Sequence, residues 1–422
     1  MHLMCIFSDF FLHERQKRDI IHTITSRKTM LINQTSNAHS ARIIGQNLAH
    51  QNAEMLQKYT SNHRILYVSD TPSYEAFTKF FPLIEDRFHL YEASPTASRD
   101  DADDLARLMD DAELVIGIGS GTINDLCKYA AFQRGIPYII IATAPSMNGY
   151  TSANASLLHD GHKQSFACFA PILCIADIDL LAHAPARLRA AGVGDTLCRS
   201  VIMADLALAH HLCGSPTYSD YFAMMHNNEM QLVRNLEAER GVGIESTKTL
   251  MTMLLDAGDA MHSAHNSAPA SQGEHMMAHL LEILAPDVTE GLYHGELISI
   301  TTLAYAALQE QCIQQTLKGF TPVAFPKNMV IAPCDPDLHA SWHRAYEEKC
   351  AMLLPEAQRP ALPAMPARLT YDALTSALRY AGCPLTWEDI GGEARDMQHA
   401  LNYARFTRAR WTYLDLMPYI VV

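Results

Sequence analysis

The sequence predicts an α/β domain followed by an all-α domain, and three observations carry that reading. In the first half, short apolar runs bounded by turn residues alternate with helical stretches, the pattern of a parallel sheet with helices on both faces. A glycine-rich turn, Gly117, Gly119 and Gly121, sits where one such run passes into a helix. From about residue 185 onward, long stretches carry helical spacing and no strand pattern stands out.

Taken in order, residues 1–28 read as an N-terminal helical extension with basic Arg15, Lys17 and Arg18, and residues 28–33 as a short edge strand. Residues 41–59 have helical periodicity. RILYVS at 64–69, closed by Asp70, is a buried strand, and residues 72–81 form a helix. An acidic helix over 100–111 precedes a second buried strand at 114–118. A helix over 122–133 and the turn Gly135-Ile136-Pro137 lead into a third strand at 138–143. Helices are expected over 186–212, 218–235, 246–259, 274–284 and 296–314, while 323–363 is proline-rich and loop-like in parts. The domain boundaries that follow are 1–28 for the extension, 29–184 for the α/β domain and 185–422 for the helical domain.

Composition narrows the function. The chain has 422 residues, 46 acidic against 32 basic, for a net charge of -14, which argues against a nucleic-acid partner. An anionic ligand would need a local pocket of basic groups and helix N-termini. Ten cysteines without a C-x-x-C pair read as reduced, buried thiols of a cytoplasmic protein. No apolar run approaches the ~18 residues of a spanning helix, so no membrane insertion is expected. The first residues are apolar, but they lack a basic leader and are interrupted by Asp9, unlike a signal peptide.

The strand–glycine–helix junction lets backbone N–H groups meet a phosphate without a Cβ in the way. Ser120 or Thr122 could cap the helix or bond a phosphate oxygen. The spacing is not G-x-G-x-x-G, and the next strand ends in Ala142 and Thr143 without the acid that usually holds a ribose. A tight turn with no ligand is the competing reading. Among 21 histidines, His275 and His279 share a helix face at i, i+4 and could grip one metal. His294 stands in a Tyr-His-Gly-Glu turn, and Asp195 follows Gly192 and Gly194. One carboxylate and two imidazoles would leave a position open for a substrate oxygen. Spacing alone leaves this triad one choice among many, and the absence of H-E-x-x-H removes a zinc-protease reading.

Taken together, the motifs resemble one family. GIGSGTINDLCK (117–128) looks like the glycine loop of the iron-containing alcohol dehydrogenase and dehydroquinate synthase-like superfamily. IATAPSMNGYTS (141–152), AAGVGD (190–195), SAPASQGEH (267–275), LYHGE (292–296) and TRARWTYLDL (407–416) resemble, in order, segments of the sn-glycerol-1-phosphate dehydrogenases, especially the bacterial branch. The resemblance covers roughly residues 28–416. It implies a Rossmann-like dinucleotide-binding domain, a dehydroquinate synthase-like helical metal-binding domain, and an active site in the cleft between them.

It also implies NAD(H) or NADP(H), with Asp70 near the adenosine ribose and Gly119, Ser120 and Gly121 under the pyrophosphate. Thr143 and Ser146 would line the cofactor, with Thr122, Asp125 and Lys128 close by. One divalent metal, usually zinc with nickel or iron in relatives, would be held by Asp195, His275 and His294. Lys163, Arg199, Arg408 and Arg410 are candidates for the substrate phosphate, by family position and charge.

Four positions depart from the family pattern: Asn148 replaces an aspartate, Ala268 an arginine, Gln272-Gly273 a glycine-serine pair, and Ala409 an aspartate. An amide at 148 can orient a substrate hydroxyl but cannot accept a proton at neutral pH. The expected reaction is reversible reduction of dihydroxyacetone phosphate to sn-glycerol 1-phosphate, in phospholipid metabolism. The alternatives are a dehydrogenase for another phosphorylated or phosphonate polyol or aldehyde, or a catalytically silent binding subunit. The expected partners are a small phosphorylated substrate and further copies of the chain, as a homodimer or higher homo-oligomer.

Overall fold

The structure, a computed structural model, describes residues 40–48, 59–84, 86–159, 162–312, 319–326, 336–363 and 367–419. The expected extension over 1–28 and edge strand over 28–33 lie outside these residues. The chain divides into two compact units. One comprises the described residues up to Thr143 together with Tyr150–Leu180; the other comprises Ala144–Gly149 and the residues from Leu181 onward.

The first unit is built on strands β1 (Ala41–Gly45), β2 (Ile65–Asp70), β3 (Phe88–Tyr91), β4 (Leu114–Gly119) and β5 (Tyr138–Ala142). A hairpin of β6 (Asn154–His159) and β7 (His162–Ala167) follows, then β8 (Leu173–Asp177). Six strands form one parallel sheet in the order β1-β8-β5-β4-β2-β3. LVIGIG of β4 and YIIIA of β5 are buried throughout, as central parallel strands covered on both faces must be. Ile116, Ile118, Ile139, Ile141, Leu173 and Ile175 share one core with Phe77 and Phe81.

Among the described residues, three helices connect these strands: α1 (Thr71–Phe77), α2 (Arg99–Arg107) and α3 (Gly121–Arg134). Asp70 caps α1 through Ser73 N–H, and Ser98 caps α2 through Asp101 N–H. Gly135 ends α3 at φ 63°, a left-handed position suited to glycine.

One expectation fails in this unit. Residues 41–45 are not helical but form β1, paired in parallel with β8. The pairing and the burial of Ile43 against the sheet core outweigh the local helical period.

After β8 the chain enters α4 (Ile178–Ala182), and among the described residues of the second unit there is no strand. Its helices are α5 (Ala186–Leu197), α6 (Arg199–Cys213), α7 (Ser219–Glu239), α8 (Ile244–Ala264), α9 (Gly273–Leu284), α10 (Pro286–Thr289), α11 (His294–Cys312), α12 (Pro336–Ala351), α13 (Tyr371–Ala381) and α14 (Ala394–Tyr403). The single helix expected over 186–212 is two, divided at Cys198. The stretch expected to be loop-like contains α12, which opens on Pro336, a residue tolerated in a first helical turn. No helix among the described residues is long and apolar enough to cross a membrane.

Candidate metal centre and glycine loop

The helical unit gathers its polar centre through glycines. A Cβ on Gly194 would stand 2.1 Å from the Gly295 carbonyl oxygen, and one on Gly295 would stand 1.8 Å from the Ala191 oxygen. Helices α5 and α11 therefore touch backbone to backbone. That contact sets Asp195, next after Gly194, near His294, just before Gly295. A Cβ on Gly192 would lie 1.7 Å from the Pro145 oxygen, so the segment Ala144–Gly149 also seats directly on α5. Asn148 thereby reaches Asp195 twice: its backbone N–H donates to Oδ2 at 2.8 Å and its Nδ2 to Oδ1 at 3.1 Å.

His275 arrives from the first turn of α9, with Nε2 3.6 Å from Asp195 Oδ1. Ligand atoms of Asp195, His275 and His294 all lie within 4.8 Å of one another. On the far side of the ring, His275 Nδ1 is 2.6 Å from Glu274 Oε1. A carboxylate on the outer nitrogen orients the imidazole and leaves Nε2 for the centre. Burial opposes a charge on His275, but hydrogen bonds to Asp195 and Glu274 overcome it and push its pKa up to about 9. Burial works against the Asp195 charge as well, and the two histidines hold its pKa below the ordinary value. This donor set attracts positive charge, and it fits a divalent cation bound by one carboxylate and two imidazoles.

The neighbouring groups are less suited. His279 stacks on His294 at 5.6 Å between ring centroids, and its Nδ1 is 3.0 Å from Glu282 Oε2. Burial drives its pKa down to about 4. Cys198, Glu274 and His275 also cluster within metal-binding range. The Cys198 thiol, however, is pushed well above its usual range by burial and by Glu274 and Asp195. A protonated thiol is a poor ligand.

Asn148, Asp195, Arg199, Tyr221, Met225 and Met253 are among the residues around a small cleft. Of the basic residues expected to meet a phosphate, Arg199 lines this cleft but forms a buried ion pair with Glu229, which also accepts from Ser200 Oγ at 2.5 Å. Arg408 donates to Ser271 Oγ at 3.2 Å, and Arg410 to the Ser271 carbonyl and to Ser267 Oγ at 2.9 Å. The charge of Glu274 acts on both arginines. Lys163 lies on β7, in the other unit, where its charge acts on Asp125. Sequence reasoning missed Glu274 as the orienter of His275, although its position just before the histidine was the available signal.

In the sheet unit, the glycine loop joins β4 to α3. A Cβ on Gly119 would overlap Ile123, and one on Gly117 would press on Cys127 Sγ at 3.2 Å, so these two glycines let the helix pack closely against its strand. Ser120 takes the N-cap position without a side-chain cap bond. Asp70 accepts from Ser73 N–H at 2.9 Å and Ser94 Oγ at 2.8 Å. Thr143 Oγ1 donates to Ser73 Oγ at 3.3 Å. Asp125 accepts from Ser156 N–H at 3.0 Å, and buried Lys128 donates to the Asn154 carbonyl at 3.0 Å. These two α3 residues fasten the hairpin. Thr122 lies in the first turn of α3, whereas Ser146 is buried in the short segment that belongs to the helical unit.

The comparisons with known proteins agree with this architecture. A family model described as iron-containing alcohol dehydrogenase matches residues 43–185. A protein of Bacillus velezensis named glycerol-1-phosphate dehydrogenase [NAD(P)+] is 29% identical over 395 residues, 89% of this chain and 90% of its own length. Its namesake from Bacillus licheniformis is 30% identical over 313 residues, 73% of this chain and 68% of its own. The crystal structure of an iron-containing alcohol dehydrogenase from Corynebacterium glutamicum shares the fold, with TM-score 0.59 and 13% identity over 89% of this chain and 90% of that one. The chain belongs to the glycerol-1-phosphate dehydrogenase family of NAD(P)-dependent oxidoreductases, within the iron-containing alcohol dehydrogenases.

Proposed function

We propose that this protein reversibly reduces dihydroxyacetone phosphate to sn-glycerol 1-phosphate with NADH or NADPH, at a divalent-metal centre held by Asp195, His275 and His294. The observation that carries the reading is the convergence of those three ligand atoms within 4.8 Å, with the outer nitrogen of His275 on Glu274. When bound, the metal would polarise the substrate carbonyl as a Lewis acid and the reduced nicotinamide would supply the hydride. Zinc suits one carboxylate and two imidazoles.

The chain's own residues do the positioning. Asn148 holds the Asp195 carboxylate with both of its N–H groups, and its amide oxygen is available to accept from a substrate hydroxyl. Arg408 and Arg410 take the phosphate. Burial, and then the charge of Arg408, pull the Arg410 pKa down to about 9, so a dianion bound between them relieves a repulsion built into the site. The N-terminus of α3 at Ser120, Gly121 and Thr122 receives the cofactor pyrophosphate. Asp70, Gly119, Asp125, Thr143 and Ser146 are proposed to line the rest of the cofactor. Reduced thiols at Cys127, Cys198 and Cys312 suit a reducing, cytoplasmic setting, and a homo-oligomer is the expected assembly.

The test is NAD(P)H oxidation by purified protein with dihydroxyacetone phosphate, before and after chelation and after readdition of zinc, nickel or iron. Activity lost on chelation and restored by one metal supports the proposal; turnover indifferent to chelation sinks it. Asn148 favours a second reading, in which another phosphorylated or phosphonate polyol or aldehyde is the better substrate. A substrate panel in the same assay decides between the two.

A further inference from the structure

Asp205 lies on α6, fully buried, and among the described residues no cation forms an ion pair with it. Four donors converge on its carboxylate instead. Oδ1 accepts from Tyr305 OH at 2.5 Å, from Tyr413 N–H at 2.9 Å and from Gln309 Nε2 at 3.3 Å. Oδ2 accepts from Gly273 N–H at 3.0 Å. Each donor belongs to a segment that carries part of the metal centre or its surroundings. Gly273 opens α9, two residues before His275. Tyr305 and Gln309 sit on α11, whose first residue is His294. Tyr413 follows the turn bearing Arg408 and Arg410. Asp205 itself lies on the helix that continues from α5 and Asp195.

We infer that Asp205 is a positioning residue, which sets the spacing of the segments bearing His275, His294 and the Arg408–Arg410 pair around the metal centre. The inference rests on the metal-centre reading given above. Gly273 shows how close the fit is: a Cβ there would stand 2.3 Å from Tyr305 Cζ, so only glycine lets its own N–H and the tyrosine hydroxyl reach one carboxylate. All four partners donate, and both carboxyl oxygens keep lone pairs to accept them, whereas an amide has an acceptor on one side alone. An asparagine cannot replace it. Tyr305 could turn its hydroxyl to accept from an amide, but the N–H groups of Gly273 and Tyr413 cannot reverse, and they meet different oxygens. Either amide orientation leaves one buried backbone donor facing an NH₂ group.

The test uses the full chain stripped of metal, titrated with Co²⁺ and followed by its visible d–d absorption, with Zn²⁺ added in competition. The unaltered protein is expected to bind one ion per chain. Asp205→Asn should bind Co²⁺ about 10–100-fold more weakly, the loss typical when an outer support of a metal site is removed. Its far-ultraviolet circular dichroism and NADH affinity should stay unchanged. Tyr305→Phe, which deletes one of the four bonds, should weaken binding roughly threefold to tenfold. A folded Asp205→Asn protein with unaltered Co²⁺ affinity and spectrum would overturn the inference while leaving the metal centre standing. If that variant does not fold, Tyr305→Phe decides in the same way. An unaltered chain that binds no Co²⁺ refutes the metal-centre reading and this inference with it.

Discussion

At the scale of single residues, Asn148 and Asp195 show how one atom type changes a site. With asparagine at 148, two N–H groups point at the Asp195 carboxylate. Asn148→Asp would keep the backbone N–H but set a second carboxylate in place of the side-chain amide. Like charges at that distance should cost the metal-free protein about 2 kcal/mol, while the extra negative charge tightens metal binding. Thermal melts with and without Zn²⁺ should show a lower apo Tm and a larger rise on metal addition; equal rises in both proteins would refute this.

Asp205 should also leave a pH signature. Burial lifts its pKa to about 8, against hydrogen bonds from Tyr305, Tyr413 and Gly273 and with the charge of Glu274 adding to the rise. The ordinary value in an unfolded chain is about 3.9, so the folded state keeps a proton that the unfolded state has lost. The stability tied to that proton is complete below about pH 4 and is lost as pH climbs toward about 8. Asparagine does not titrate, so the stability gap between unaltered protein and Asp205→Asn should narrow from pH 5 to pH 8 in urea melts. A gap that widens instead would contradict the raised pKa. That Asp195, His275 and His294 come together was expected from the family resemblance of their short motifs, not from their spacing. Asp205 was not, because its donors come from segments up to 208 residues away.

Among elements, the crossing of α5 and α11 decides whether the centre exists. Gly194→Ala or Gly295→Ala would force a methyl into the facing backbone oxygen. Overpacking of this kind costs about 3 kcal/mol, and by separating Asp195 from His294 it should also weaken metal binding. Urea denaturation and Co²⁺ titration together check this; an alanine variant with unaltered affinity would mean the helices need not touch. Periodicity found the central strands and most helices. It misread β1, whose five residues owe their conformation to β8 rather than to local preference. The β6–β7 hairpin went unremarked although Asp160-Gly161, between strands whose ladder closes at His159 and His162, is a favoured hairpin dipeptide. The break at Cys198 left no trace, since its residues on both sides are helical.

For the molecule as a whole, two compact units imply two separate footprints. Saturating metal at 100 times its Kd should add about 2.7 kcal/mol of stability. In hydrogen exchange, metal should protect peptides of α5, α9 and the start of α11, whereas NADH should protect the β4–α3 junction. Protection by metal confined to the sheet peptides would contradict the ligand set. The division into a sheet-bearing half and a helical half was readable from the alternation of strand and helix signals and its end near residue 185. That six residues from the middle of the sheet-bearing half belong with the helices was not, since the seating of Pro145 on Gly192 and the bonds from Asn148 to Asp195 place them there.

That seating bears on recombination. The polypeptide changes unit after Thr143, after Gly149 and after Leu180. A chimera made by exchanging everything beyond residue 180 with a relative would set Asn148 from one parent against Asp195 from the other. Wherever the donor was shaped around an aspartate at that position, the hybrid would carry a mismatched pair at its most sensitive contact. Productive crossovers should therefore transfer residues 144–149 together with the helices, as an inherited block split in sequence.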